Sequence, residues 1–85
     1  MVQKRTKKVR VRYYALLREE RGLNEETVTT SAHSVRELYE FLRKKHGFRL
    51  DTRVLRVALN QGFRDWDAPL KDGDSVAFIP PVAGG

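Results

Sequence analysis

The sequence predicts a two-layer α+β domain, in which a mixed sheet of about five strands packs on one main helix. The chain has 85 residues, a length suited to one small domain. Residues 34–47 have the apolar period of an amphipathic helix, and segments of alternating polarity lie on both sides of them. A helix that is apolar on one face needs a sheet to bury that face, so the two patterns together predict two layers.

The N-terminal third predicts a basic arm and two strands. Residues 1–8 are polar and aperiodic, and we expect a flexible arm there. Over residues 9–14 apolar residues alternate with arginines, which predicts a half-buried strand with a basic outer face. Residues 16–21 favour one helical turn that ends at Gly22, and the threonine-rich segment 25–30 predicts a second strand paired with the first.

The clearest local signal is the helix between Ser34 and Gly47. Ser34 and Glu37 have the spacing of a capping box, in which each side chain accepts a hydrogen bond from the other residue's backbone N–H. Basic residues in the last turn suit the negative end of the helix dipole, and Gly47 suits a left-handed C-cap. The apolar residues at helical spacing are Val35, Leu38, Tyr39 and Leu42.

The C-terminal part predicts three further strands, over residues 55–59, 63–66 and 75–79. The segments 60–62 and 72–74 between them have the composition of turns. The order of strand, strand, helix and three strands is that of a sheet wrapped around one helix, the β-grasp arrangement, although periodicity alone also fits other small α+β folds. The expected core residues are Val11, Tyr13, Val35, Leu38, Leu42, Val57, Leu59, Val76 and Phe78.

Pro80 and Pro81 mark the end of the folded part, because neither can donate a ladder hydrogen bond. We therefore expect a domain over residues 9–79 and a flexible tail over residues 80–85.

Composition excludes several classes of function. The chain has no cysteine, so it has neither disulfides nor thiolate metal sites nor a cysteine nucleophile. It has neither an apolar run that could span a bilayer nor the apolar stretch of a secretory signal, so a cytoplasmic protein without a membrane partner is expected. His33 and His46 lack metal-ligand spacing, and we expect structural roles and no bound metal.

The net charge of +6 raises the alternative of a basic module that binds nucleic acid. Much of the excess lies in the first twelve residues, and a solvated basic arm explains it without a nucleic-acid partner. The basic surface also lacks the pair of stacking aromatic residues that single-stranded nucleic acid favours.

The last third carries a specific combination of motifs: Asp72-Gly73-Asp74, an apolar strand, Pro80-Pro81-Val82, and the final Gly84-Gly85. With the segments 12–19 and 57–61, this combination resembles the small, sulfur-carrying subunit of molybdopterin synthase, in the MoaD/ThiS family of ubiquitin-like proteins. The resemblance extends over residues 9–85.

The resemblance implies a ubiquitin-like β-grasp fold and a carrier that is not catalytic alone. An E1-like adenylyltransferase would use ATP to adenylate the carboxylate of Gly85, and sulfur from a persulfide donor would then replace AMP. The large subunit of the synthase would hold the active site in which the Gly85 thiocarboxylate donates sulfur to a cyclic pyranopterin monophosphate. No cofactor is expected to be bound; Gly85 carries AMP and then sulfur transiently.

The chain end agrees with this chemistry. Gly85 is the last residue, which provides a free carboxylate without processing, and Gly84 also lacks a Cβ atom that would obstruct a narrow channel. Six residues reach about 20 Å at ~3.3–3.6 Å each. The residues expected to enter the partner ahead of Gly85 are Pro80, Pro81, Val82, Ala83 and Gly84.

Strand parity predicts a docking face. If Tyr13 points into the core, Tyr14 points out. By the same alternation Ile79 points out if Phe78 points in, and Phe63 points out if Trp66 is buried. Large exposed apolar side chains on one sheet are typical of an interface, and the family has partner-contacting hydrophobics at matching positions. Arg18 matches a frequent arginine of the family and could pair with an acidic residue of a partner. A slipped strand register would instead place these apolar residues in the core.

Two related functions stay open. A carrier for thiamin or tRNA thiolation would have the same terminus and a different acceptor, and a protein modifier would join Gly85 to lysines of other proteins. The ending Pro80-Pro81-Val82-Ala83-Gly84-Gly85 favours the molybdopterin pathway.

Overall fold

The computed structural model describes residues 5–81, which form one sheet, two α-helices and a short 3-10 helix. In chain order the elements are β1 (Lys7–Tyr13), α1 (Ala15–Arg21), β2 (Glu25–Thr30), α2 (Val35–His46), the 3-10 helix (Thr52–Val54), β3 (Arg56–Leu59), β4 (Gly62–Arg64) and β5 (Ser75–Ile79). The predicted fold class, a five-stranded mixed sheet packed on one main helix, is confirmed. Among the described residues, neither α-helix is long and apolar enough to cross a membrane.

The five strands lie in the order β2-β1-β5-β3-β4. β1 and β5 run parallel, whereas the other neighbouring pairs are antiparallel. The first and last strands of the chain are therefore neighbours, with β5 at the centre of the sheet. The apolar side of α2 packs on one face of this sheet, and the other face, which we call the outer face, is left uncovered by the helix. This is the β-grasp arrangement.

The predicted N-terminal arm, residues 1–8, is too long by two residues. β1 begins at Lys7 and not at Val9, because β2 continues as far as Thr30, which pairs with Lys7. Residues 1–4 lie outside the described part of the chain.

The fourth strand is also displaced from its predicted position at residues 63–66. It begins at Gly62 and ends at Arg64, because the chain beyond it turns to the start of α2. The carbonyl oxygens of Trp66 and Ala68 accept hydrogen bonds, of 3.0 and 3.1 Å, from the first two backbone N–H groups of α2. This segment thus satisfies donors that a helix start leaves without internal partners.

The predicted helix α2 has the expected ends. The Oγ atom of Ser34 accepts a hydrogen bond from the backbone N–H of Glu37 at 3.2 Å. The returning half of the capping box is displaced by one residue, since the Glu37 carboxylate accepts from the N–H of His33 and not of Ser34. Gly47 has a left-handed φ of 72°, and its N–H donates to Arg43 at 2.7 Å. The Ser34 cap therefore defines the start of the helix, and Gly47 defines its end.

Every residue predicted for the core is buried, from 0% exposed at Phe78 to 6% at Leu59. Tyr39 is buried as well, and its hydroxyl donates to the carbonyl of Leu50 at 2.7 Å. Phe48, which follows the predicted helix without a periodic pattern of its own, stacks on Tyr39 at a centroid distance of 6.0 Å. The core thus extends beyond the predicted set into the segment between α2 and β3.

A polar network ties β1, α1 and β2 together. The Tyr13 hydroxyl donates to Glu26 Oε2 at 2.7 Å, and Arg21 donates to both carboxylate oxygens of Glu26 at 2.8 and 2.9 Å. The two hydrogen bonds from Arg21 are the main cause that holds the pKa of Glu26 below its usual range. The hydrogen bond from Tyr13 acts in the same direction, and burial acts in the opposite one. Burial, and then the bond to Glu26, raise the pKa of Tyr13.

We expect Glu26→Gln to lower the free energy of unfolding at neutral pH by about 1–3 kcal/mol, because Arg21 loses its charged partner. Folding depresses the pKa of Glu26, so the stabilisation is fully present above the pKa of an unfolded glutamate, about 4.3, and is lost as the pH falls through the folded value. Urea denaturation over the acidic range should therefore show the two proteins differing at neutral pH and converging once Glu26 is protonated.

The matched control is Glu40→Gln, at an exposed carboxylate on α2 that lies 3.9 Å from Arg43. It should leave stability nearly unchanged, since exposed ion pairs contribute little. A difference between wild type and Glu26→Gln that stays constant down to low pH would contradict a stabilising charge on Glu26.

Candidate functional site

Tyr14 and Ile79 lie side by side on the outer face of the sheet. Tyr13 pairs with Phe78 where β1 and β5 run parallel, so the next residue of each strand points to the opposite face at the same end of the sheet. Tyr14 is 40% exposed and is the N-cap residue of α1, with extended backbone angles. Ile79 is half-buried and is the last residue of β5. The predicted parity places both side chains on one surface.

Phe63 lies on the same face but farther out. It pairs with Ala58 of β3, which in turn pairs with Ala77 of β5, so the three side chains form one row across the outer face. Phe63 is 64% exposed, and the guanidinium carbon of Arg56 lies 5.7 Å from its ring centroid. The structure thus brings Tyr14 and Ile79 together, whereas β3 lies between Phe63 and Ile79, and both β3 and β5 lie between Phe63 and Tyr14.

A concavity of about 450 Å³ lies between Tyr14 and the turn that joins β3 to β4. Its lining is apolar near Tyr14 and Ile79 and polar at the other end. The lining residues are Arg10, Arg12, Tyr14, Ala58, Asn60, Gln61, Ser75, Val76, Ala77 and Ile79. The outer face therefore has a shallow concavity with an apolar end, at Tyr14 and Ile79, and a polar end. Because Arg10 and Arg12 also line the concavity, we call the polar end the cationic end.

The turn at the polar end is held in a fixed shape. Asn60 Nδ2 donates to Asp74 Oδ1 at 3.0 Å, and Asn60 Oδ1 accepts from the N–H of Ser75 at 2.9 Å. Asn60 and Gln61 both have positive φ, 52° and 75°, which suits a two-residue hairpin turn. Asp74 thus acts as a turn residue, as its position beside Gly73 predicts.

Arg18 lies on α1, one turn after Tyr14, and its side chain is exposed. It borders a smaller hollow of about 320 Å³ that Tyr14, Arg12 and Glu25 also line. This location is compatible with a contact to an acidic residue of a partner, as the resemblance implies, and it adjoins the outer face.

The C-terminal tail starts beside the apolar end of the outer face. β5 ends at Ile79, Pro80 is half-buried and Pro81 is exposed. The remaining residues of the predicted tail, Val82, Ala83, Gly84 and Gly85, lie outside the described residues. A tail that begins at Pro80 therefore begins one residue from the docking candidate Ile79.

The outer face has no candidate for a general base among the described residues beside its concavity. The residues that line its concavity include neither a carboxylate nor an imidazole that could act as a general base. Within residues 5–81, no group of three or more His, Asp or Glu side chains is placed to hold a metal ion. His33 is exposed, and His46 lies half-buried against Phe48. The pKa of His46 is lowered mainly by burial and secondly by the charge of Arg21.

The sequence identified Arg10 and Arg12 as a basic outer face, but it missed Arg56 and the turn at Asn60 and Gln61 as parts of the same surface. The alternation of residues 55–60 could have placed Arg56 outside, yet it does not show which strands are neighbours.

Comparison with known proteins agrees with the fold. The model of the ThiS family matches residues 11–85. The molybdopterin synthase sulfur carrier subunit of Escherichia coli is 34% identical over 80 residues, which cover 91% of this chain and 99% of that protein. A Pyrococcus furiosus structure assigned as subunit 1 of molybdopterin converting factor is 35% identical with a TM-score of 0.74, covering 89% of this chain and 99% of that one.

A third relative was solved in an assembly. The structure of subunits 1 and 2 of the molybdopterin-converting factor of Helicobacter pylori contains a chain that is 34% identical, with a TM-score of 0.62. The alignment covers 92% of this chain and 99% of that one. The chain has a β-grasp sheet, and the family model matches it from residue 11 to residue 85. This chain therefore belongs to the ThiS family.

Proposed function

We propose that this chain is the sulfur carrier subunit of a molybdopterin synthase and that Gly85 carries the sulfur as a thiocarboxylate. The observation that carries the proposal is the position of the tail: β5 is the central strand, and it delivers the chain to Pro80 directly beside the exposed Tyr14 and the half-buried Ile79. A partner that docks on the outer face would receive the tail at the edge of its own contact surface.

The proposed chemistry takes place at the terminal carboxylate. An E1-like adenylyltransferase joins the carboxylate of Gly85 to AMP and releases pyrophosphate from ATP. The terminal sulfur of a persulfide donor then displaces AMP to give an acyl disulfide, and a thiol reduces its sulfur–sulfur bond, which leaves the Gly85 thiocarboxylate and a new disulfide. Adenylation turns a poor leaving group into a good one, so the carrier itself needs no catalytic side chain. The absence of cysteine from the sequence is compatible with this scheme.

The proposed docking partner is the large subunit of the synthase. The assembly of two subunits solved for the Helicobacter pylori relative supports a large-subunit partner. On this chain the contact would include Tyr14, Ile79 and Phe63, with Arg18 at the border. The names of the curated relatives favour the molybdopterin pathway over thiamin or tRNA thiolation.

Mass spectrometry of the protein purified from its own host tests the proposal. We expect a fraction whose mass differs by one oxygen-to-sulfur exchange, located at Gly85 by fragmentation. The chain with a chemically prepared Gly85 thiocarboxylate should then produce molybdopterin with its large subunit and a cyclic pyranopterin monophosphate, and the unmodified chain should not. A carboxylate in every preparation, together with an inactive prepared thiocarboxylate, would contradict the proposal.

A further inference from the structure

The cationic end of the outer face is organised around one carboxylate. Glu25 of β2 lies opposite Arg12 of β1, and its oxygens lie 3.3 Å from Arg12 Nε and 3.7 Å from Arg10 Nε. The hydrogen bond to Glu25 is the main cause that raises the pKa of Arg12. The pair of arginines is therefore held in position on the sheet surface by Glu25.

One carboxylate cannot satisfy two guanidinium groups. Each guanidinium has five N–H donors, and the side chains of Arg10 and Arg12 are 63% and 58% exposed. The charged residues that line the concavity are these two arginines, and the other polar groups around them are neutral: Asn60, Gln61 and Ser75. The cationic end thus retains a net positive charge and unused donors that face the concavity.

We propose that this end of the concavity receives acidic side chains of the protein partner, and that Arg10 and Arg12 set the rate at which the partner associates. The inference rests on the proposed function, because it assigns a chemical character to the partner's docking surface. Two exposed guanidinium groups that share one carboxylate attract further negative charge over a distance, and acidic side chains are the negative groups that a protein surface offers. The cationic end is continuous with the apolar end at Tyr14 and Ile79, and this continuity favours a folded protein surface over a nucleic acid.

The exposure of the arginines determines which kinetic constant they affect. Exposed charges are screened by salt and contribute little to the affinity of a formed complex, but they raise the association rate by about 10- to 1000-fold through long-range attraction. We therefore expect Arg10 and Arg12 to act mainly on association, whereas the apolar anchor at Ile79 acts mainly on dissociation.

The test measures association and dissociation rates with the purified large subunit of the same organism, at about 0.05 M and about 0.5 M salt. Arg12→Glu, and the double variant Arg10→Gln with Arg12→Gln, should slow association about 10-fold or more at low salt and leave dissociation within about twofold. The difference should nearly disappear at high salt. The glutamine variant avoids a repulsive contact with Glu25, and a urea denaturation curve of each variant establishes that it is folded.

Lys44→Glu is the matched control, because it changes the net charge by the same amount as Arg12→Glu at an exposed position on α2, which packs on the opposite side of the sheet. An equal slowing by Lys44→Glu would show that total charge and not the concavity is responsible, and would overturn the proposal.

Three further outcomes would also overturn it. Unchanged association in the arginine variants, combined with loss of binding in Ile79→Asp, would exclude the acidic contact while the proposed function stands. If a short single-stranded RNA binds to the chain and loses affinity in the arginine variants, while the rates with the large subunit do not change, the concavity serves nucleic acid. A wild-type chain that does not bind the large subunit at all would remove the proposed function together with this inference.

Discussion

Deleting Gly85, or adding one alanine after it, should eliminate sulfur transfer and leave the free energy of unfolding unchanged. The deletion or the extra residue moves the terminal carboxylate by about 3.3–3.6 Å along the tail. Errors of about 1 Å in the position of a reacting group can lower a rate about 100-fold, so the displaced carboxylate should fail at adenylation and at sulfur transfer. Within residues 5–81 the buried core ends at Phe78, and we expect neither change to remove a core contact.

The measurements are ATP–pyrophosphate exchange with the adenylyltransferase, formation of molybdopterin with the large subunit, and urea denaturation. A chain with one alanine added before Met1 has the same composition as the C-terminal extension and should behave like wild type in all three. Full activity of the chain extended after Gly85 would exclude a carrier that reacts at its terminal carboxylate. A loss of stability in either tail variant would indicate a terminus docked on the domain.

Replacing Ile79 by aspartate should weaken binding to the large subunit by more than about 2 kcal/mol, or about 30-fold in Kd. Ile79 lies beside Tyr14 at the apolar end of the concavity, so the change removes an apolar contact, and a docked partner would strip water from a new carboxylate whose cross-strand neighbour is Arg56. Titration calorimetry or surface plasmon resonance measures the change, and a denaturation curve establishes that the variant is folded.

Phe41→Asp is the control for the Ile79 variant. Phe41 is an apolar side chain on α2, 44% exposed, on the opposite side of the molecule from the outer face. It should leave binding to the large subunit unchanged. If Ile79→Asp binds as tightly as wild type and high salt dissociates the complex, the interface is electrostatic. The assignment of Ile79 as an apolar anchor would then be wrong.

Local signals predicted the helix α2 to the residue, whereas they missed the 3-10 helix entirely. Ser34 and Gly47 fix the ends of α2 through contacts within one turn, so the sequence pattern contains all the information needed. The 3-10 helix Thr52–Val54 has only three residues, too few to repeat a helical pattern, and it is capped by Asp51. Its position depends on the packing of the chain between α2 and β3.

The face of the sheet to which each site residue points was predictable, but the neighbouring strands were not. Alternation along a strand shows that Tyr14 and Ile79 point away from the core, since each follows a buried residue. It does not show that β1 pairs with β5, which joins Val11 to Val76 across most of the chain. The concavity between Arg12 and the Asn60 turn depends on that long-range pairing, so it was found only in the folded structure.

The central position of β5 has a consequence for the order in which the protein is made. β1 and β3 pair with β5 and not with each other, so a nascent chain that has not yet reached Ser75 can form only the separate pairs β1–β2 and β3–β4. The sheet therefore closes only after β5 has been translated, and folding of the domain cannot run ahead of the synthesis of this strand. A prematurely terminated chain would lose the centre of its sheet together with the terminal glycines. Only copies translated through Gly85 would then have both the closed sheet and the carboxylate proposed to carry sulfur.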